Sequence, residues 1–361
     1  MADPHPPAGV IRTVCGDRPA ADFAAVMVHE HLLYDITPPG MAQDAQPGQV
    51  TMQNRWQIDY RSNETPLNAR QQDWRIAAAE LAAFERDGGD LIVDQSVGGL
   101  ARDPLGLQAA SRASGCAIVA AAGVYTAAYL DDATAHADTE TLAARFVAEV
   151  RDGLDGTAVR AGVIGEIGCS WPLQDVERRA LMAAAKASRA TGAGISVHPG
   201  RDPRAPFEIV EILGAAGADL SRVALCHMDR TYPEGLEIDG YGPIALARLG
   251  VMIEWDFFGI ETSHYWMDPD VELPTDRGRL RAIRAAMDAG HGAQILVSHD
   301  ICTRTRAQAF GGHGYGHVLR NVVPLMRRMG FTASETADLI RFNPLRLLAF
   351  PQAAPAPEYA A

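Results

Sequence analysis

Four histidines and three carboxylates stand at short apolar runs. His29, Glu30 and His31 close the run 26–31 (VMVHEH), and Glu166 lies in GVIGEIG. His198 closes GISVH, His227 falls in VALCHM, and Asp300 follows VSH. On an extended strand alternate side chains share a face, so His29 and His31 point one way and Glu30 the other. Imidazole and carboxylate together suit Zn, Mn, Fe or Ni. A single strand-end histidine is more often a hydrogen-bonded structural residue. The chain has only 11 histidines among 361 residues, yet three of these runs end in one, and the joint pattern points to a metal site.

The elements that must position these groups are strands near 26–31, 90–97, 116–124, 161–168, 194–199, 222–228, 250–257 and 293–299. Each is short and rich in Val, Ile and Leu, as strands buried on both faces are. Helix-like stretches lie between them, among them 73–87, 174–191 and 277–289, and several stop at a glycine just before the next strand. Eight strands alternating with helices predict an α/β fold, a (β/α)8 barrel over 1–350 whose functional groups gather at the C-terminal ends of the strands. A doubly wound open sheet is the rival, but no GxGxxG follows the first strand. Residues 36–72, rich in Pro, Gln, Asn and Asp, form a long loop insertion after the first strand. On a barrel such an insertion is a lid or an interface element. The tail 351–361 (PQAAPAPEYAA) reads as disordered.

Composition narrows the class. The formal net charge of −13 gives no general affinity for nucleic-acid phosphates or anionic lipids. No run approaches the roughly 20 apolar residues of a membrane span. The opening MADPHPPAGV lacks the basic and apolar regions of a signal peptide. The five cysteines are dispersed without a CxxC, which argues for reduced thiols in a cytoplasmic protein rather than disulfides or a Cys-built zinc site. Lys186 is the sole lysine among 32 basic residues.

With these motifs in view, the chain resembles the phosphotriesterase family of the amidohydrolase superfamily. IRTVCGD at 11–17 leading into VMVHEHL is similar to that family's opening. GVIGEIG, SVHPGR, CHMDR and VSHD follow in the family's order, and GGHGYGHVL and NPLRLL resemble its C-terminal stretch. The resemblance covers nearly the whole chain. It implies a cytoplasmic enzyme acting on a small molecule, with a homodimer favoured and neither nucleic acid nor membrane as partner. Many members bridge two metals with a carboxylated lysine on the fourth strand. Here that position holds Glu166, and Lys186 lies in the following helix, so the resemblance is to a glutamate-bridged variant. Glutamate is shorter, which would bring the metals nearer the fourth strand.

The resemblance further implies two divalent metal ions, Zn by default with Mn, Co or Fe feasible. His29, His31 and Asp300 would hold the buried ion, His198 and His227 the other, with Glu166 and a hydroxide bridging. Asp300 would also be the general base. Tyr125 resembles the tyrosine that lactone-hydrolysing relatives place against the substrate carbonyl; the alternative is a packed rim tyrosine. Asp229 looks like a family carboxylate that carries protons away from Asp300, with Arg230 as its neighbour and pairing partner. Arg201 would bind an acidic group of the substrate or be a solvated surface residue. His264, on the seventh loop, would touch substrate or relay protons. His299 and Glu30 should face away from the barrel mouth.

The expected activity is hydrolysis of a carboxylic ester, lactone or amide by a metal-bridging hydroxide. Phosphotriester hydrolysis is the alternative, because the same centre serves both. A metal-dependent isomerase or decarboxylase, and a non-catalytic metal-binding barrel, are the other classes. The last is disfavoured because every expected ligand and the base Asp300 are present.

Overall fold

The eight apolar runs form eight strands: β1 (Val26–Glu30), β2 (Leu91–Asp94), β3 (Ala117–Ala122), β4 (Val163–Gly168), β5 (Ile195–His198), β6 (Val223–Leu225), β7 (Met252–Trp255) and β8 (Ile295–Val297). The computed structural model describes residues 9–40, 50–61, 65–235, 237, 239–262, 264–265, 267–268 and 270–350. Neighbouring strands pair in parallel, in sequence order from β1 to β8. The ends of the sheet meet where the Asp300 N–H donates to the His29 carbonyl oxygen at 3.0 Å. The His29 N–H also donates to Ser298 Oγ at 3.0 Å. With helices between the strands, this is the expected (β/α)8 barrel.

Local sequence explains the helices that separate the strands. Helix Asp175–Thr191, between β4 and β5, begins with a reciprocal cap between Gln174 and Glu177 and ends at Gly192 in the left-handed conformation. Helix Trp74–Arg86 starts where the Asp73 carboxylate accepts the Arg75 N–H. The predicted stretch 277–289 is observed as helix Asp276–Ala286, capped by Thr275. Apolar side chains pack in two layers. Val26, Val28, Val93, Val119 and Leu296 fill the barrel interior. Met27, Ile92, Ile118, Ile253 and Val297 face the helices.

Two slips in strand register matter for the chemistry. Met27 faces the helices, so unbroken alternation would carry His29 outward with it. The register of β1 against β2 shifts between Met27 and Glu30, and His29 turns to the interior. In β4, Ile164 and Ile167 both pack outward, and the register against β5 shifts between them. Gly165 makes this possible: its φ is 115°, and a Cβ there would overlap the Ser196 carbonyl oxygen. The irregularity re-aims Glu166 inward, as β-bulges do beside active sites.

The insertion after β1 carries secondary structure of its own. Its neck is a two-residue antiparallel ladder between Tyr34–Asp35 and Arg70–Gln71. It carries a short helix, Arg55–Tyr60, whose Arg55 Nε donates to the Thr305 carbonyl at 3.1 Å. Residues 41–49 and 62–64 of the insertion, and the tail 351–361, lie outside the described residues. No helix among the described residues is long and apolar enough to cross a membrane. All five cysteines are free.

Candidate metal centre

The strands end earlier than their apolar runs suggest. β6 stops at Leu225 and β8 at Val297, so His227 and Asp300 lie on the turns beyond rather than on strands. Both have left-handed backbone, with φ of 62° and 47°. For residues with a Cβ this conformation costs on the order of 1–3 kcal/mol and persists where the surroundings enforce it. At His227 the backbone N–H is held by Asp256 Oδ2 at 2.9 Å. At Asp300 the N–H is held by His29.

All six expected ligands converge at the barrel mouth, and Glu166 stands at their middle. Its Oε2 lies 3.5 Å from His29 Nε2, 3.0 Å from His198 Nδ1 and 3.5 Å from His227 Nε2. Its Oε1 lies 3.3 Å from His31 Nε2. Asp300 Oδ1 is 3.4 Å from His31 Nε2 and 3.8 Å from His29 Nε2. Lys186 takes no part; its ammonium pairs with Glu140.

The donor set fits a cation. His29, His31 and Asp300 form one group whose ligand atoms all lie within 4.8 Å, and His29, Glu166 and His227 form another. Both ring nitrogens of His29 are buried without a hydrogen-bond partner, which is costly unless something completes them. The electrostatics agree. Burial alone would raise the Glu166 and Asp300 carboxyls, yet the surrounding histidines hold both down, Asp300 to about 2. Burial alone would lower His31 and His227, yet the carboxylates raise each to about 10. His198 goes the other way, to about 3, because burial dominates. Positive charge is thus favoured at the centre of this cluster.

A model described as the phosphotriesterase family matches residues 9–348. The chain belongs to the phosphotriesterase family. It is 36% identical over 348 residues to the N-acetyltaurine hydrolase of Rattus norvegicus, with 95% of this chain and 98% of the relative covered. Among solved structures it is similar to the resiniferatoxin-binding protein of Rhodobacter sphaeroides, at 30% identity and a TM-score of 0.87, covering 97% and 98% of the two chains. It is also similar to the phosphotriesterase homology protein of Escherichia coli complexed with phosphate, at 25% identity and a TM-score of 0.73, covering 90% and 99%. Membership makes the chain a hydrolase of a metal-dependent family.

In this phosphotriesterase-family barrel the other expected residues divide. Tyr125 lines the cavity over the centre, its hydroxyl 3.4 Å from His198 Nδ1. Burial pushes its pKa well up, so it stays a donor. Arg201 also lines that cavity, with Nε donating to Tyr265 Oη at 3.3 Å. His264 does not. Its ring stacks on Tyr60 of the insertion, with centroids 4.5 Å apart, and lines an adjoining cavity. Asp229 is fully buried, pairs with Arg279 and accepts the Asp256 N–H at 2.8 Å. Burial raises its carboxyl to about 6 against the pull of Arg279. Arg230 is not its partner. The backbone turn at His227 sends Arg230 the other way, to the Pro199 carbonyl at 2.7 Å and His198 Nε2 at 3.2 Å. Glu30 and His299 do face away, paired at 2.6 Å.

Sequence reasoning missed Asp256, Glu254 and Arg306. Asp256 Oδ1 is 2.9 Å from His227 Nδ1, and its Oδ2 is 3.5 Å from His29 Nδ1. Glu254 Oε1 lies 3.9 Å from the same His29 nitrogen. The available signal was a pair of carboxylates spaced by two in the apolar run VMIEWDFF. Arg306 lines the cavity and donates to the Asp300 carbonyl at 2.7 Å.

Proposed function

We propose that this protein hydrolyses the amide bond of a small N-acyl amine, using two divalent metal ions held by His29, His31, His198, His227 and Asp300 and bridged by Glu166. The observation that carries this reading is that one carboxylate, Glu166, lies within 3.5 Å of all four histidines. A bridging ligand needs that position, and no lysine is near enough to supply it. Bound there, divalent ions would lower the pKa of the attacking water and polarise the acyl oxygen.

The protein's own groups do the rest. Asp300, held ionised, accepts the proton of the attacking water. The new C–O bond forms at the acyl carbon, and the proton passes to the nitrogen as the C–N bond breaks. The Tyr125 hydroxyl donates to the acyl oxygen as negative charge develops on it. Asp256 orients His227 and flanks His29. Asp229, clamped by Arg279, acts on Asp256 as a positioning residue.

One observation favours an amide over a phosphotriester. The relative compared above over nearly its whole length is an N-acetyltaurine hydrolase. The cavity over the centre, about 100 Å³, shares Tyr125, Tyr129, His198, Arg201 and Met267 with an adjoining cavity of about 800 Å³, so volume alone does not choose between the two substrate classes. The test is a panel of N-acetyltaurine, simple lactones and aryl phosphotriesters given to metal-loaded enzyme. Acetate release from the amide at a kcat/KM above the other classes supports the reading. Turnover of lactones or triesters with no amide cleavage overturns it.

A further inference from the structure

We infer that Arg201, Arg230 and Arg306 form a recognition site for an anionic tail, a sulfonate or a carboxylate, on the amine side of the substrate. This rests on the amide-hydrolase reading for the word substrate, but the site itself stands on the charges lining the cavity.

Two arginines buried elsewhere in the barrel are neutralised. Arg102 pairs with Glu149 at 2.6 Å and Asp155 at 2.8 Å. Arg279 pairs with Asp229 and with Asp276 at 2.9 Å. The three arginines of the cavity wall differ from these two. Among the described residues no carboxylate forms an ion pair with Arg201, Arg230 or Arg306. Arg230 is only 3% exposed. Its Nη2 is used by the Pro199 carbonyl and His198, while its Nη1 is buried with no partner at all.

The other two guanidiniums are held in place without being neutralised. Arg201 reaches Tyr265 Oη through Nε and lies near Met267 Sδ through Nη2, at 3.2 Å. Arg306 reaches the Asp300 carbonyl and lies over the Phe257 ring at 5.7 Å. The carboxylates that share the cavity, Glu166 and Asp300, are already engaged by the histidines.

An uncompensated buried cation is among the costliest arrangements in a protein interior. Arg230 is such a cation, and the half-buried Arg306 and the exposed Arg201 add their charge at the same cavity, so the site calls for an anion. A guanidinium presents its N–H groups as a planar fork matched to oxyanions. A sulfonate or carboxylate remains charged across the neutral range, so it would offset the charge of Arg230 at every working pH. A neutral tail would leave that charge uncompensated. Sites built around polar partners reject analogues that lack them far more strongly than apolar pockets reject a missing methylene.

The test uses metal-loaded protein and three acetamides of matched length: N-acetyltaurine, N-acetyl-β-alanine and the neutral N-acetylethanolamine. The expected result is a kcat/KM for at least one anionic amide about 100-fold or more above the neutral one. Arg230→Met and Arg306→Met should collapse that ratio, chiefly through KM. Arg201→Gln, at an exposed position, should reduce it with little risk to folding, and circular dichroism checks all three. In parallel, calorimetry follows binding of ethanesulfonate, propionate and inorganic phosphate, none of which is turned over. Cleavage of the neutral amide as efficient as that of both anionic ones overturns the proposal while leaving the hydrolase reading intact. Undiminished anion preference in all three folded variants also overturns it. If no amide is cleaved but ethanesulfonate or propionate binds the wild type and not Arg230→Met, the amide reading fails and the arginine site stands.

Discussion

Asp256 grips His227 twice: one carboxylate oxygen lies 2.9 Å from the ring Nδ1 and the other accepts the backbone N–H at 2.9 Å. The ring contact leaves Nε2 directed at Glu166, and the backbone contact holds His227 in its left-handed conformation. Asp256→Asn keeps the size of the side chain and removes its charge. Partners of this kind are worth about 10–100-fold in metal affinity. Competition with a chromogenic chelator should show a loss of that order, and unchanged affinity would remove Asp256 from the site's design.

The bridge can be tested by counting ions. Wild-type protein should bind two divalent ions per chain by elemental analysis, and bicarbonate should not affect reconstitution because no lysine is available to be carboxylated. Glu166→Gln should retain the fold and lose one of the two ions. A bicarbonate requirement, or full occupancy in the variant, contradicts a glutamate bridge.

Asp300→Asn separates proton acceptance from ligation. In samples matched for metal content, kcat should fall by roughly 10²–10⁴, the usual worth of a positioned acid or base. Near-normal turnover in a metal-replete variant would assign the base elsewhere.

Tyr125 makes a smaller claim. Removing its hydroxyl in Tyr125→Phe deletes one hydrogen bond to the acyl oxygen, worth roughly 1–2 kcal/mol or about tenfold in kcat/KM. The loss should appear with amides, esters or lactones and be slight with phosphotriesters. Equal and negligible effects on both would reduce Tyr125 to a packing residue of the rim.

Acid should reveal a clamp beneath the β7 turn. Asp276 accepts the Gly259 N–H at 2.9 Å and pairs with Arg279 and with His317, the latter at 2.6 Å. Burial would raise its carboxyl, but these partners lower it from 3.8 to about 2. A folded-state value below the unfolded one stabilises fully above about pH 3.8, and that stabilisation is lost as pH falls through about 2. Asp276→Asn should therefore cost about 2–3 kcal/mol near neutrality, measured by urea unfolding. The gap between variant and wild type should narrow below pH 3.8; a gap constant down to pH 2 would show that the charge is not what stabilises.

The barrel was legible because each strand is buried on both faces and so reads as an unbroken apolar run between helix caps. The ligand set was legible because histidine is rare in the chain and recurs at the ends of such runs. What escaped depends on packing across distance. Asp256 and Glu254 sit inside a strand-like run, where their spacing shows a shared face but not which histidines that face would meet. Arg306 lies on a loop whose path is set by the insertion helix and by Asn68, whose carbonyl accepts the Arg304 N–H and whose Oδ1 accepts the Thr305 N–H. The pairing of Arg230 with Asp229 was misjudged because adjacency in sequence means little beside a left-handed residue. The inward aim of His29 followed from simple alternation only by coincidence, since a register slip in β1 restores it.

The lone lysine has a practical consequence. Lys186 sits late in the helix that leads down from β4, paired with an exposed glutamate rather than with anything at the barrel mouth. Among side chains, amine-directed coupling can reach only this one. A resin, an electrode or a fluorophore attached through it would hold every molecule by the same flank, with the cavity left open to the solution.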